Sequence, residues 1–482
     1  MITFTLAFCL LIGGYFIYGL AMERIFGVNP SNRTPAYTLA DGVDYVPMNW
    51  WRIFLIQFLN IAGLGPIFGA VMGAVYGPSA FLWIVFGSIF GGAVHDYLSG
   101  MMSLRNKGMS LPELGGKYVG NLFRLFMRIF TLVLMILVGA VFIAGPAKLL
   151  NMMTNNTLDY TLCIVMIFIY YVLATLLPVD KVIGRIYPFF GAALLFMAAG
   201  IGISLITAGE NIPELTLETL GNQRPDGDRY PLFPMLFISI ACGAISGFHA
   251  TQSPMMARCL TSERYGRRVF YGAMIVEGAV ALIWAAAAMS FFGSAEGLFG
   301  FLDANGQNAA VAVRKICDSW LGKFGGILAI IGVIVAPITS GDTAFRSARL
   351  IVADFLGISQ KKLANRIMIS VPLFVIGFIL LQINFDIIWR YFAWANQTLA
   401  TATLWMISIY LVRHKKFFAA TLIPALFMSM VVIDYILIAP EGFAIHYSKG
   451  LWIAAFITFL LLLWFIARYF NPLGSKKNIN KE

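Results

Sequence analysis

Ala241-Cys242-Gly243-Ala244-Ile245-Ser246-Gly247-Phe248-His249-Ala250-Thr251-Gln252-Ser253-Pro254 interrupts a long apolar segment that begins near residue 232. Its first half is made of small residues, and its second is a run of hydrogen-bonding side chains closed by a proline. Glycine and proline weaken a helix at such a point. At bilayer depth, any backbone group released there has to face a cavity, an ion or a solute. The stretch therefore reads as a membrane-spanning helix broken at its centre around a polar site. A helix N-terminus exposed at the break attracts a carboxylate, so Gly243, Ser246, Gly247, His249, Thr251 and Gln252 are substrate-binding candidates. His249 has two readings, a satisfied interior residue or a proton carrier.

A second interruption of the same kind occurs earlier, at Leu59-Asn60-Ile61-Ala62-Gly63-Leu64-Gly65-Pro66, followed by Gly69 and Gly73. Here the carbonyls of Leu59 to Ala62 are expected to be free of helical partners, and Gly63, Gly65 and Pro66 join the substrate-binding candidates. The competing reading is close packing, because Gly65, Gly69 and Gly73 form a small-xxx-small stripe. Both can hold at once.

The rest of the chain places these breaks in a membrane. Of 482 residues, 60% are hydrophobic and 12% charged, about half the charged share of a soluble domain. About thirteen windows approach the roughly 20 apolar residues that a helical crossing needs. They lie near 2–21, 52–76, 79–103, 122–146, 159–177, 183–207, 232–251, 267–292, 322–345, 365–383, 388–412, 416–438 and 450–469. Continuous apolar runs exclude an outer-membrane barrel, whose strands alternate, so the fold class is an all-α integral membrane protein. The run Ile2 to Leu20 has no basic flank and no small-residue cleavage site, and reads as a retained span.

Spans two to eleven divide into two groups of five, 52–207 and 232–412, each opening on a broken span. An odd number per group gives the groups opposite orientation, which is the arithmetic of an inverted repeat. Around them stand an extra span with a cytoplasmic loop (1–51), an extracytoplasmic loop (208–231), and two extra spans with a basic tail (413–482). The net charge of +11 is the basic-loop excess of a membrane protein rather than a nucleic-acid surface. Arg105, Lys107 and Lys117, then Arg264, Arg267 and Arg268, then Lys361 and Lys362, then Arg413, Lys415 and Lys416, and finally Lys476 and Lys477 all fall on one side. That side is read as cytoplasmic, with the N-terminus outside and the C-terminus inside. Glu210, Glu214, Glu218, Asp226 and Asp228 gather on the other side.

A third polar stretch is Ala336-Pro337-Ile338-Thr339-Ser340-Gly341-Asp342-Thr343-Ala344-Phe345-Arg346. Its oxygens suit sodium or a proton rather than a soft metal. Asp342 is either an ion-coupling residue or half of a structural pair with Arg346 one turn later. Asp96, near the basic end of its span, is read as pairing with Arg105 or capping a neighbouring helix. Glu277 sits deeper and is a coupling candidate, and Asn396 is read chiefly as a helix-to-helix hydrogen-bonding residue. Asp41-Gly42-Val43-Asp44-Tyr45 reads as an ordered cytoplasmic loop or gate contact. No triad order, HExxH spacing or GxxxxGK[ST] loop occurs, so neither hydrolytic catalysis nor ATP-driven transport is indicated. Five scattered cysteines give neither a disulfide framework nor a metal cluster.

Four stretches together resemble the carbon starvation CstA family: Thr34-Pro35-Ala36 through Asp41 to Pro47, Ile61 to Pro66, Gly92-Ala93-Val94-His95-Asp96, and Leu232-Phe233-Pro234 through Ala250. The resemblance covers nearly the whole chain, in what looks like a short form of the family. It implies peptide uptake during carbon starvation, a stress response, across the bacterial inner membrane. It also implies pyruvate symport with a proton or sodium as an alternative, and a place among relatives of the amino acid–polyamine–organocation superfamily. Likeness to LeuT-type transporters implies a sodium site made by the Leu59, Ala62 and Ala336 carbonyls with the Thr339 and Ser340 hydroxyls. No other cofactor is expected. Longer family members carry a His-His pair where this chain has Ile56-Gln57, a departure that shifts the expectation from proton to sodium coupling. The reading from another class is a nutrient-sensing receptor or a channel.

Overall fold

The computed structural model describes residues 1–42, 44–154, 157–176, 183–360 and 362–469, and across them the chain is helical, with an isolated bridge between Met48 and Leu260 in place of any strand. Val43, Lys361 and the tail with Lys476 and Lys477 lie outside the described residues. The spans are α1 (Ile2–Phe26), α2 (Trp50–Ile61), α3 (Gly65–Tyr76), α4 (Ser79–Arg105), α5 (Asn121–Met153), α6 (Tyr160–Leu176) and α7 (Ile183–Thr207). After a long connection come α8 (Leu232–Ser239), α9 (His249–Ala257) and α10 (Glu263–Phe291). The connection after α10 carries two short helices, α11 (Ala295–Ala304) and α12 (Ala309–Trp320). The chain continues through α13 (Gly322–Leu356), α14 (Leu363–Leu380), α15 (Phe385–Arg413), α16 (Ala419–Ile438) and α17 (Tyr447–Tyr469).

Each window expected to cross the membrane carries a helix or a broken pair. In apolar surroundings the backbone must satisfy itself, and a helix does so within one segment. Among the described residues, eight of these elements are long and apolar enough to span by length and composition, and the pair α2 and α3, bent by 54°, makes a ninth. Of the remainder, α6 is shorter and the pair α8 and α9 is broken, as helices that face a protein interior are allowed to be; α13 and α15 are continuous helices of 35 and 29 residues.

Burial separates core from periphery. In α4 and α10, 83% of the apolar window is buried, against 22% in α17 and 28% in α1 and α14. The first set encloses the two breaks. The second exposes large apolar side chains such as Trp452 and Phe456, which suits contact with lipid tails. Long helices α5 and α13 pack along one another beside the breaks, and α9 lies along α4.

The basic end is tied shut. Arg105, at the end of α4, donates to both carboxylate oxygens of Glu263 at 3.0 and 2.8 Å. Glu263 also accepts from the Asn29 backbone at 2.8 Å and the Asn32 amide at 3.0 Å, while Arg105 donates to the Gly27 carbonyl at 2.6 Å. Such a two-pronged, charge-assisted arrangement fixes geometry as well as adding energy. It gives Arg105 a partner other than Asp96, so the expected Asp96–Arg105 pair is replaced. Asp41 folds its loop by accepting from the backbone of Asp44 and Tyr45, both at 2.9 Å. Tyr45 in turn donates to the Lys107 carbonyl at 3.0 Å and lies under the Arg258 guanidinium.

Candidate functional site

The two breaks meet. Residues 62–64 separate α2 from α3, and residues 240–248 separate α8 from α9. A Cβ added to Gly65 would lie 2.1 Å from the Cβ of Cys242, and one on Gly73 would lie 2.2 Å from Ile240 Cγ1. Gly69 faces the Ser239 carbonyl, and Gly243 sits against Ala281 and Pro66. The glycine stripe is therefore a packing surface, and it is what lets one broken span touch the other. Gly63 packs under Phe142, whose ring also meets Phe248 and Phe392 with centroids 6.2 and 6.0 Å apart.

Asn396 of α15 holds the second break open. Its side-chain oxygen accepts from Ser246 Oγ at 3.0 Å and from the Phe248 backbone at 2.7 Å, its amide donates to Cys242 Sγ, and its carbonyl accepts from the Gly247 backbone at 3.1 Å. These bonds replace the helical partners that the interruption removes. Gly247 allows it, since a Cβ there would be 2.3 Å from the Asn396 carbonyl. The first amides ahead of α9 are thus engaged by Asn396, and a carboxylate reaches them only where Asn396 lets go. Thr251 Oγ1 donates to the Phe248 carbonyl and accepts from the Gln252 amide.

Directly below this clamp is a buried ionisable chain. Asp96 Oδ2 lies 2.8 Å from His249 Nδ1, and Asp96 Oδ1 lies 2.8 Å from His95 Nδ1. His249 Nε2 is 3.2 Å from Glu277 Oε2, close but not directed as a hydrogen bond. All four side chains are fully buried. An ionised Asp96 accepts from both imidazoles, so each carries its proton on Nδ1, which turns the second nitrogen of His249 toward Glu277. With Glu277 protonated the four groups carry one net negative charge; one added proton on His249 makes them neutral. A net charge at this depth is costly, so proton loading and burial favour one another. Among the described residues, no such group is arranged to hold a metal ion.

A second oxygen cluster lies on the other side of the first break. Ser340 Oγ of α13 is 3.3 Å from the Leu59 carbonyl, 3.2 Å from that of Asn60 and 3.0 Å from that of Ala336. Thr339 Oγ1 donates to the Ala336 carbonyl at 2.7 Å. The loosened carbonyls at the end of α2 thus face the Ser340 hydroxyl, with Asn60 beside Leu59 where the sequence points to Ala62. Tyr171 braces the region, donating to the Phe142 and Pro337 carbonyls. Asp342 stands one turn further, 3.7 Å from Arg346, which also donates to the Ala174 carbonyl at 2.5 Å.

The structure thus brings Asp96, His249 and Glu277 into one group and places Asn396 on the break, with Leu59, Ala336, Thr339 and Ser340 in another group. Asp342 and Arg346 form their own pair one turn beyond the second group. His95 and Asn60 enter as participants without being singled out in the sequence. For His95 the signal is present: only 4 histidines occur in the chain, and this one adjoins an acid inside a span. The Gln57 amide and Gln252 Oε1 are also buried without hydrogen-bond partners, on α2 and α9 respectively.

A sequence model of the carbon starvation protein CstA matches residues 1–164 and 144–319. The chain belongs to the CstA family. An uncharacterized membrane protein of Haemophilus influenzae is 42% identical over 365 residues, 66% of this chain and 97% of that protein. The peptide transporter CstA of Bacillus subtilis is 26% identical across 88% of both chains. The pyruvate/proton symporter BtsT of Escherichia coli is 29% identical over 54% of this chain and 45% of its own length. Among solved structures, MhsT in complex with L-phenylalanine superposes with a TM-score of 0.58 at 14% identity, covering 86% of this chain and 98% of that one. That likeness establishes the fold, a LeuT-like one. Family and fold together make this CstA-family chain a multi-pass membrane transporter, not an enzyme.

Proposed function

We propose that the chain imports a small carboxylate-bearing solute, peptides foremost, by proton-coupled alternating access across the bacterial inner membrane. The observation that carries this reading is the buried chain Asp96, His249 and Glu277, which ties the second break to α4 and α10. A group that exchanges one proton there changes the charge that the break must bury, so it couples protonation to the rocking of one repeat against the other. The names of the relatives agree: one is a peptide transporter and another a pyruvate/proton symporter. The departure at Ile56-Gln57 does not remove the proton route in this reading, because His249 and His95 supply the imidazoles. The basic end, closed by Arg105 and Glu263, faces the cytoplasm, with the N-terminus outside.

In proteoliposomes, labelled dialanine or pyruvate should accumulate under an inward proton gradient, and a protonophore should abolish accumulation while leaving counterflow. Accumulation that ignores the protonophore would overturn proton coupling, and solute bound without any flux would indicate a receptor.

The Ser340 cluster favours a second coupling ion, sodium, held by the Leu59, Asn60 and Ala336 carbonyls with both hydroxyls. Hard oxygens in this number suit it. The double variant Thr339→Ala, Ser340→Ala should raise the sodium concentration for half-activation by about tenfold, as expected for losing roughly 1–2 kcal/mol of ligand contacts. If wild-type uptake is indifferent to sodium, the cluster is a structural brace between α2 and α13.

A further inference from the structure

We propose that a vestibule at the acidic end, above the first break, is a loading site that takes the carboxylate of a short peptide, with Lys148 as its cation. This rests on the transport reading and adds where the solute first binds. The outer cavity has a volume of about 510 Å³ and is walled by Lys148, Asn151, Asn305, Asn308 and Asn384. A narrower chamber of about 160 Å³ continues inward, sharing Lys148, Asn308 and Phe385 with the first and adding Gly145 and Tyr160. Its wall reaches the break: a Cβ on Gly145 would lie 2.5 Å from Leu64 Cδ1. One turn deeper, Phe142 with Phe248 and Phe392 closes the way to the ionisable chain.

The chemistry of the walls is one-sided. Among the described residues no Asp or Glu lines either chamber, and the one charged side chain there is Lys148. It is half-buried on α5, and among the described residues it is in no ion pair; its recorded contact is the Tyr160 ring at 5.9 Å. A half-buried ammonium with no ion-pair partner among the described residues, set in the wall of an open cavity, offers an anion a positive potential without a competing carboxylate. Asn308 caps α12, accepting from the Ala310 backbone at 2.9 Å, and sets that helix's positive end at the same cavity. Asn151 and Asn305 each give one amide hydrogen to a backbone carbonyl, Leu158 and Phe301, which orients their carbonyl oxygens and second amide hydrogens as partners for a peptide bond or an ammonium group. The outer volume is in the range of pockets for ligands larger than a three-carbon acid, which favours a peptide over pyruvate.

The test uses the full chain in proteoliposomes, with exposed Cys9 replaced by Ser and Asn305→Cys as a reporter. Modification by a sulfonate-bearing methanethiosulfonate should outpace its trimethylammonium counterpart about tenfold after correction for intrinsic reactivity. Lys148→Met should erase that preference, and Lys148→Arg should keep it. Equal labelling of all variants by a neutral methanethiosulfonate shows that the vestibule is formed. Dialanine should slow labelling in the lysine protein and not in Lys148→Met. A charge preference that survives Lys148→Met, or no protection by either dialanine or pyruvate, overturns the site; protection by pyruvate alone overturns the peptide. Because labelling needs no flux, protection in the Lys148 reporter protein together with no transport by the wild type overturns the transport reading and leaves this site standing.

Discussion

Asp96→Asn should abolish accumulation of solute against its gradient, lowering proton-driven uptake by at least about 100-fold, in line with loss of a positioned proton-transfer group, while leaving counterflow measurable. The reason is local. Asp96 accepts from His95 on one oxygen and from His249 on the other, and asparagine can accept on one side only. Its amide then faces an N–H, so one imidazole must move its proton to the far nitrogen. If that imidazole is His249, its Nε2 presents a hydrogen to Glu277 and can no longer take one from it. In the proton-loaded form the variant also leaves the His249 imidazolium without its counter-ion, at a cost of roughly 3–5 kcal/mol, which disfavours loading. Glu277→Gln is therefore the companion variant: it keeps the shape and removes the titrating group. It should give the same phenotype, with counterflow retained and proton-driven accumulation lost. Both variants accumulating solute as the wild type does would sink proton coupling through this chain.

Part of this site is legible in the sequence. A Gly-Pro or Gly-Ser-His interruption stands out in an apolar run because lipid allows so few polar residues, and the two breaks, the Thr339 and Ser340 pair and the position of His249 all follow from that contrast. Partners do not follow. Arg105 is the cation nearest to Asp96 along the chain, but nine residues of one helix is about 13 Å, beyond the reach of the pair. The partner Asp96 has, His249, is 153 residues away, brought near by α9 lying along α4. Asn396 shows the same limit. A polar residue in a span predicts a hydrogen bond to another helix, and it makes several, but only the fold reveals that they go to the unwound backbone of the second break. Spacing points to Ala62 rather than Asn60 because it cannot give the direction of carbonyls where a helix ends.

Gly65→Ala should impair the transporter without altering any ionisable group. The added methyl would overlap Cys242, with its Cβ at 2.1 Å and Sγ at 2.5 Å, while the Cys242 backbone stands off at 3.5 Å. No rotamer change moves a Cβ, so the two broken spans have to separate. Overpacking of this kind costs about 1–3 kcal/mol, and because α3 and the second break also meet through Gly69 and Gly73, the strain spreads along the seam. Uptake should fall about tenfold or more, with a lowered thermal midpoint in detergent. The distances name the remedy. Cys242→Gly removes the obstructing atoms and by itself should cost less, giving up the Asn396 contact to sulfur. Added to Gly65→Ala, it should restore much of both stability and uptake, so the double variant outperforms Gly65→Ala alone. Additive losses would mean that the breaks do not touch in the state that limits transport, since independent sites add and contacting ones do not. Restored stability without restored uptake would separate the two roles of the glycine stripe: the seam would hold the protein together, while movement across it would require Gly65 itself.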